Sequence, residues 1–127
     1  MKKIIITDKA PAPVGPYNQA IIHNDTLYAS GQIAINSATG ELVTETIEAE
    51  TRQVMENIRA ILEEADLGFE DVIKCSVFVS DMNNYSRINA VYAEYFDEDT
   101  APARELVEVA NLPKFVNIEI SVIAAFD

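Results

Sequence analysis

The last quarter of the chain, from Ala101 to Phe126, constrains the fold most, because polar and apolar residues alternate through it twice around a proline-containing turn. In the first segment Val107 and Val109 fall on one face, and Arg104, Leu106 and Glu108 on the other. In the second, Ile118, Ile120 and Val122 form an apolar row, and Asn117, Glu119 and Ser121 a polar one. Period-two separation of this kind marks strands with one buried face. Read as a hairpin with its apolar rows in register, the stretch predicts that Arg104 and Glu119 share a polar face. An always-charged guanidinium grips a carboxylate with two parallel hydrogen bonds, and a glutamate takes a proton from attacking water. These two residues are therefore the candidate catalytic pair; spent on each other, they form a structural ion pair instead.

The rest of the chain supplies a core for such a hairpin. Thr46 is placed to cap a helix whose Glu48 and Glu50 face the positive end of its dipole. Its stripe of Ile47, Thr51, Val54, Met55, Ile58, Ile61, Leu62 and Ala65 predicts burial, and Gly68 supplies a stop. From Val72 to Ser80 the alternation puts Ile73, Cys75, Val77 and Val79 on one face, making Cys75 a buried, inert thiol. A second helix is predicted from Asn84 to Asp97 through Tyr85, Ile88, Val91, Tyr92, Tyr95 and Phe96, ended by Pro102. Near the start, the opening MKKIII reads as a first strand, and Asn24-Asp25 closes a hairpin between residues 19–23 and 26–30. Prolines 11, 13 and 16 keep the segment between them out of a central sheet. Gly31 marks either a bulge or a close backbone approach. The order of elements is α+β, with two helices on one face of a mixed sheet and the other face left for water or another subunit.

Charge excludes some functions. With 9 basic and 21 acidic residues among 127, the net charge is −12, which repels phosphate backbones and anionic membranes and makes nucleic acid an unlikely partner. His23 is a lone histidine, and no metal site is expected. A length of 127 residues with 49% hydrophobic residues suits one domain spanning residues 1–127. The opening MKKIII stops at Thr7 and Asp8, short of the roughly 7–15 residue apolar region of a signal peptide. Together with the single cysteine, this predicts a cytoplasmic protein.

Several stretches carry a more specific signal. APAPVGPYNQA at 10–20, YASGQIAINSATGELV at 28–43, NAVYAEYF at 89–96, APAR, VEVANLPK and Ile118-Glu119-Ile120 resemble, in order, the motifs of the RidA family, also called YjgF. The resemblance implies a chorismate-mutase-like fold and a homotrimer with sites in the clefts between subunits. It also implies a hydrolase, a 2-iminobutanoate/2-iminopropanoate deaminase, that converts reactive enamines and imines such as 2-aminoacrylate and 2-iminopropionate to 2-oxo acids and ammonia without a cofactor. Arg104 and Glu119 would be catalytic, and Tyr17, Ser30, Gly31, Asn89, Arg104 and Leu106 would border the substrate. Leu106 stands where many members have a cysteine, and Glu105 and Asn111 also depart from the common pattern, which bears on pocket size and substrate preference. The rival readings are a non-catalytic trimer that senses small carboxylate metabolites, and, third, a ribonuclease or translation inhibitor. For the last, −12 and one histidine offer little acid-base chemistry toward a phosphodiester.

Overall fold

The computed structural model describes residues 1–127. Six strands, β1 (Lys3–Ile5), β2 (Ala20–His23), β3 (Thr26–Ala29), β4 (Val72–Val79), β5 (Ala103–Glu108) and β6 (Ile118–Ala125), form one sheet in the order β1-β2-β3-β6-β4-β5. Only β4 and β5 run parallel; all other neighbours are antiparallel. The helices α1 (Ile47–Glu64) and α2 (Tyr85–Tyr92) cover one face. This is the α+β architecture expected, and the buried face of α1 holds every residue of the predicted stripe together with Glu50 and Asn57, which the pattern did not include.

Local signals account for most element ends. Thr46 Oγ1 accepts the Ala49 N–H at 3.0 Å, so the cap falls where a threonine offers it. The helix stops through Asp66, at φ +59, and not through Gly68, which is extended. Leu67 N–H bonds the Leu62 carbonyl and Asp66 N–H that of Glu63, so two orphan carbonyls are satisfied while Leu62 and Leu67 bury together. α2 is shorter than its aromatic pattern suggests: it closes at Tyr92, and Tyr95 and Phe96 pack against the core from the turns beyond. Asn24, at φ +55, makes the tight connection between β2 and β3.

The predicted C-terminal hairpin does not form. β4 lies between β5 and β6, in register with both, so the two segments are not neighbours. Residues paired across a sheet share a face. Arg104 pairs with Cys75 and Cys75 with Val122, which is the helix-covered face; Glu119 pairs with Phe78 and Phe78 with Val107, which is the open one. Arg104 and Glu119 are thus two strands apart, roughly 10 Å laterally, on opposite faces. Alternation was read correctly in each strand, but pairing was assigned by adjacency in sequence, and the parallel β4–β5 contact overrides it. Val107, expected in an apolar row, is 46% exposed, whereas Leu106 packs on the core. Arg104 and Glu108 leave the open face to Lys74, Ser76 and Glu119. Ile73 is also misplaced: a bulge between Val72 and Lys74 extrudes it, 52% exposed, and Val72 takes the buried position.

Two buried polar side chains tie loops to this frame. Glu50 is fully buried, and its two oxygens accept the backbone N–H and side-chain amide of Asn117 at 2.7 and 2.8 Å, fixing the entry to β6 from the first turns of α1. Asn57 donates to the carbonyls of Ile33 and Ile35, both at 3.0 Å, and pins the segment after Gly31.

Candidate functional site

The proposed site residues fall into two groups. Tyr17, Ser30, Gly31 and Glu119 line one cavity of about 470 Å³ beside the open face of the sheet. Arg104, Asn89 and Leu106 lie at the β5 edge, on the helix side.

A bulge creates the cavity. Tyr28 pairs with Ile123 and Gln32 with Ile120, so four steps on one strand match three on the other and the backbone swells at Ala29–Gly31. Glu119 folds over that swelling. A Cβ built on Gly31 would land on its carboxyl, 2.8 Å from Cδ, so both meanings of the glycine, bulge and close approach, hold at once. The Glu119 carboxyl accepts no hydrogen bond, and half-burial alone pushes it up from the ordinary carboxylate range. Ser30 is less free: its hydroxyl donates to the Asn18 carbonyl at 2.6 Å, so toward a ligand it only accepts.

Gln19, absent from the expected set, holds the outer wall. It is 3% exposed; its Oε1 accepts the Thr7 N–H, and its Nε2 donates to the carbonyls of Thr7, Ala10 and Pro11 at 2.9–3.1 Å. That clamp orders the proline segment whose Pro11, Ala12 and Val14 face the cavity, with Tyr17 at its end. Its signal was a glutamine directly before a strand, unremarkable until the loop it grips is seen. Lys114 closes another side from a backbone at φ +55, and Ile33 and Ile35 form the floor.

Arg104 is held differently. Its Nη1 donates to Asn89 Oδ1 at 2.8 Å and its Nη2 to the Tyr85 hydroxyl at 3.0 Å, while its guanidinium carbon stands 4.8 Å from the Tyr92 ring centroid. Asn89, a site candidate from the sequence, and two tyrosines of α2, read there chiefly as core, therefore hold the fork. The chain has four arginines; Arg52, Arg59 and Arg87 each bind a carboxylate, and Arg104 does not. The structural ion pair with Glu119 is not formed. Val109 donates its N–H to the Val79 carbonyl, so by alternation the N–H groups of Arg104 and Leu106 point to the free sheet edge beside the guanidinium. Cys75 lies beneath. Burial pushes its thiol up, and neighbouring Tyr92 and Arg104 only partly offset this, so it is a poor nucleophile. The buried Tyr92 hydroxyl lies against that sulfur without a hydrogen bond of ordinary geometry, and burial drives it up as well.

The family model described as Endoribonuclease L-PSP matches residues 7–126. A RutC family protein of Synechocystis is 52% identical over 123 residues, 96% of this chain and 95% of that protein. The chain belongs to the RidA/YjgF family. Its members include the solved YjgF gene product of E. coli, at 44% identity and TM-score 0.92 over 98% of this chain and 99% of that one. Another, E. coli TdcF with bound serine, is 41% identical with a TM-score of 0.93 over the same shares. Among RidA/YjgF proteins, then, this chain has the family fold with its charged site groups on opposite faces of the sheet. No group of metal-ligating side chains occurs in it, and no helix is long and apolar enough to cross a membrane.

Proposed function

We propose that this protein hydrolyses small 2-imino and 2-enamino acids, 2-iminopropionate and 2-aminoacrylate among them, to 2-oxo acids and ammonia. The observation that carries the reading is the pairing of opposites: one arginine without a carboxylate, and one half-buried glutamate without a donor. Because they cannot meet within one chain, a working site needs Arg104 from one copy beside the Glu119 cavity of the next. The open face, with Ile4, Ile21, Tyr28, Phe78, Val107 and Ile123, is apolar enough to be covered by such copies in a closed homotrimer.

The chemistry follows from those groups. The fork of Arg104, with the Leu106 N–H beside it, fixes the substrate carboxylate. An enamine is first protonated at C3 to the same iminium as the protonated imine. Water held by Glu119 adds to the iminium carbon; the carboxylate takes one water proton, and the C=N π pair becomes the amine lone pair. Glu119 returns that proton to the nitrogen, the C–N bond of the carbinolamine breaks as the C=O of the oxo acid forms, and the hydroxyl proton passes to the departing ammonia, which leaves as ammonium. No electrons are gained or lost. Such imines hydrolyse unaided, so positioning and a general base worth about 10²–10⁴-fold suffice. A burial-raised carboxyl suits both halves of this proton traffic. Binding of a serine by TdcF, a relative of the same fold, fits a site for a three-carbon amino-acid skeleton.

Complementation tests it. Arg104→Lys and Glu119→Gln trimers should each be nearly inactive on an imine supplied by an amino-acid oxidase. Unfolded and refolded together in equal amounts, they should recover about a quarter of wild-type sites, since each cleft draws one residue from each of two neighbours. No recovery in a mixed trimer would place both residues in one subunit's cleft. Ligand binding with no hydrolysis by the wild type would favour a sensor of small carboxylates.

A further inference from the structure

Away from the open face, the end of α1, the turn at Phe69–Asp71 and the segment after α2 enclose a groove made of two adjoining cavities. The first, about 210 Å³, is lined by Phe69, Glu70, Tyr95, Phe96, Asp97 and Thr100. The second, about 350 Å³, shares Phe69, Glu70 and Tyr95 with it and adds Arg59. Rings make the floor. Phe69 meets Tyr95 at 5.2 Å and 60°, and Phe96 at 5.4 Å and 84°, so the rings pack edge to face and leave ring faces for other groups. The second cavity shows what that floor takes. Arg59 stands over it, its guanidinium carbon 5.5 Å from the Phe69 centroid and 5.4 Å from that of Tyr95. A carboxylate completes the setting: Glu56 lies 3.4 Å from Arg59 Nε and accepts the Tyr95 hydroxyl at 2.8 Å. Rings and a carboxylate together already hold one guanidinium.

The first cavity repeats this chemistry, yet no lysine or arginine of the chain lines it. Its carboxylates are Glu70 and Asp97, neither in an ion pair. Gly68, which does not end α1, makes room for Glu70: a Cβ there would meet both carboxyl oxygens at 2.5 Å. Exposed Glu98 and Asp99 carry the same sign beyond Asp97, in a chain of net charge −12. We infer that this groove docks a partner protein through an arginine-bearing segment, whose guanidinium seats on Phe69, Tyr95 and Phe96 between Glu70 and Asp97. A flat guanidinium stacks on a ring and still forks to a carboxylate, which an ammonium does not. Free arginine would bring its own carboxylate into this acidic rim, whereas an arginine within a chain does not. Nucleic acid has the wrong sign. The groove lies on the helix-covered side, so a trimer closing over the open face leaves it on the outside.

The probe is an acetylated and amidated pentapeptide with arginine at its second and fourth positions and glycine elsewhere. It is titrated into isotope-labelled protein in about 0.15 M salt, where attraction between well-separated exposed charges is largely screened, and followed by amide chemical shifts. Changes should concentrate at Glu70, Tyr95 and Asp97. Glu70→Gln with Asp97→Asn should weaken binding about tenfold. Glu41→Gln with Glu45→Gln removes the same charge from exposed positions elsewhere and should leave affinity within about twofold. Equal loss in the two double variants would reduce the effect to net charge and overturn the groove. So would a lysine peptide that binds as well as the arginine one, or no change at these residues at about millimolar peptide. Tighter binding there of spermidine or free arginine than of the peptide would assign the groove to a small cation and overturn docking. Should the Glu70 and Asp97 double variant not fold, the shift map and the lysine comparison decide the point on the wild type.

Discussion

Arg104 and Glu119 carry opposite charges, and the fold treats them in opposite ways. Arg104 is fastened on three sides, by an asparagine, a phenol and the face of a second ring, with no carboxylate among them. Glu119 is fastened by nothing: its carboxyl rests over a glycine, and burial without a donor raises it. A fork fixed in plane and unneutralised suits an anchor, whose worth lies in geometry it does not have to find on binding. A carboxyl left without donors suits a proton carrier, whose worth lies in the ease with which it changes state. Substitutions that separate geometry from charge should therefore act differently on the two.

The largest effect is expected at the anchor. Arg104→Lys keeps the charge but has no fork to match a carboxylate plane and no flat face for Tyr92. Turnover at limiting substrate should fall about a hundredfold or more. A folded variant with near-normal kcat/KM would reduce Arg104 to a simple cation and remove the contrast.

Glu119→Gln reaches the other side of it. Hydrolysis should drop toward the uncatalysed rate while pyruvate still binds, because shape is kept and the base is lost. For the wild type, the acid limb of kcat/KM should lie above the ordinary carboxylate value of 4.5, and the variant should lose that limb. Stability supplies a second reading. A carboxyl raised in the folded state contributes most below its unfolded pKa, and that contribution is lost as pH rises through the folded pKa. The variant should then melt higher than wild type at neutral pH, with the gain vanishing in acid. A variant less stable at pH 7 would mean that Glu119 is held after all.

These expectations show where the sequence was legible. Faces were readable, because period-two patterns in β6 and the 3.6 period in α1 record burial residue by residue. Partners were not. Nothing in Arg104 or Glu119 encodes that β4, some forty residues upstream of Glu119, would slide between their strands, since pairing is set by the summed burial of the whole sheet. Arg104 and Glu119 were singled out from strand alternation and the other candidates through motif resemblance, and the separation of the two came only from topology. Asn89 was flagged, but Tyr85 and Tyr92 were hidden by their helical spacing, which looks the same for a core ring and for a ring that also supports a cation. Gln19 and Asn57 were hidden because a buried amide carries no pattern; it is recognised by the loop it grips.

A smaller effect should separate the ring of Tyr92 from its hydroxyl. Tyr92→Phe keeps the surface under Arg104 and deletes a buried hydroxyl without a partner, so activity should hold and the melting temperature should stay level or rise. Tyr92→Leu removes the flat face and should raise KM about tenfold through a looser anchor, with kcat less affected. Equal kinetics for the two variants would show that Asn89 and Tyr85 suffice to hold the fork.

The smallest effect is expected directly beneath the anchor, at Cys75, the residue paired with Arg104 across the sheet. Proximity to the guanidinium would make it the natural suspect for a nucleophile, yet it is fully buried and burial pushes its thiol up, away from the thiolate that attacks. Cys75→Ser changes the volume little and places a hydroxyl against the unpartnered Tyr92 hydroxyl, which offsets part of the cost, about 1–3 kcal/mol, of burying a polar group there. Turnover per folded chain should stay within about twofold of wild type, while the melting temperature shifts modestly. Turnover and thermal melting on the same preparation separate the cases. A hundredfold loss with the fold intact would make the sulfur a participant, and the arginine face would then carry chemistry as well as geometry.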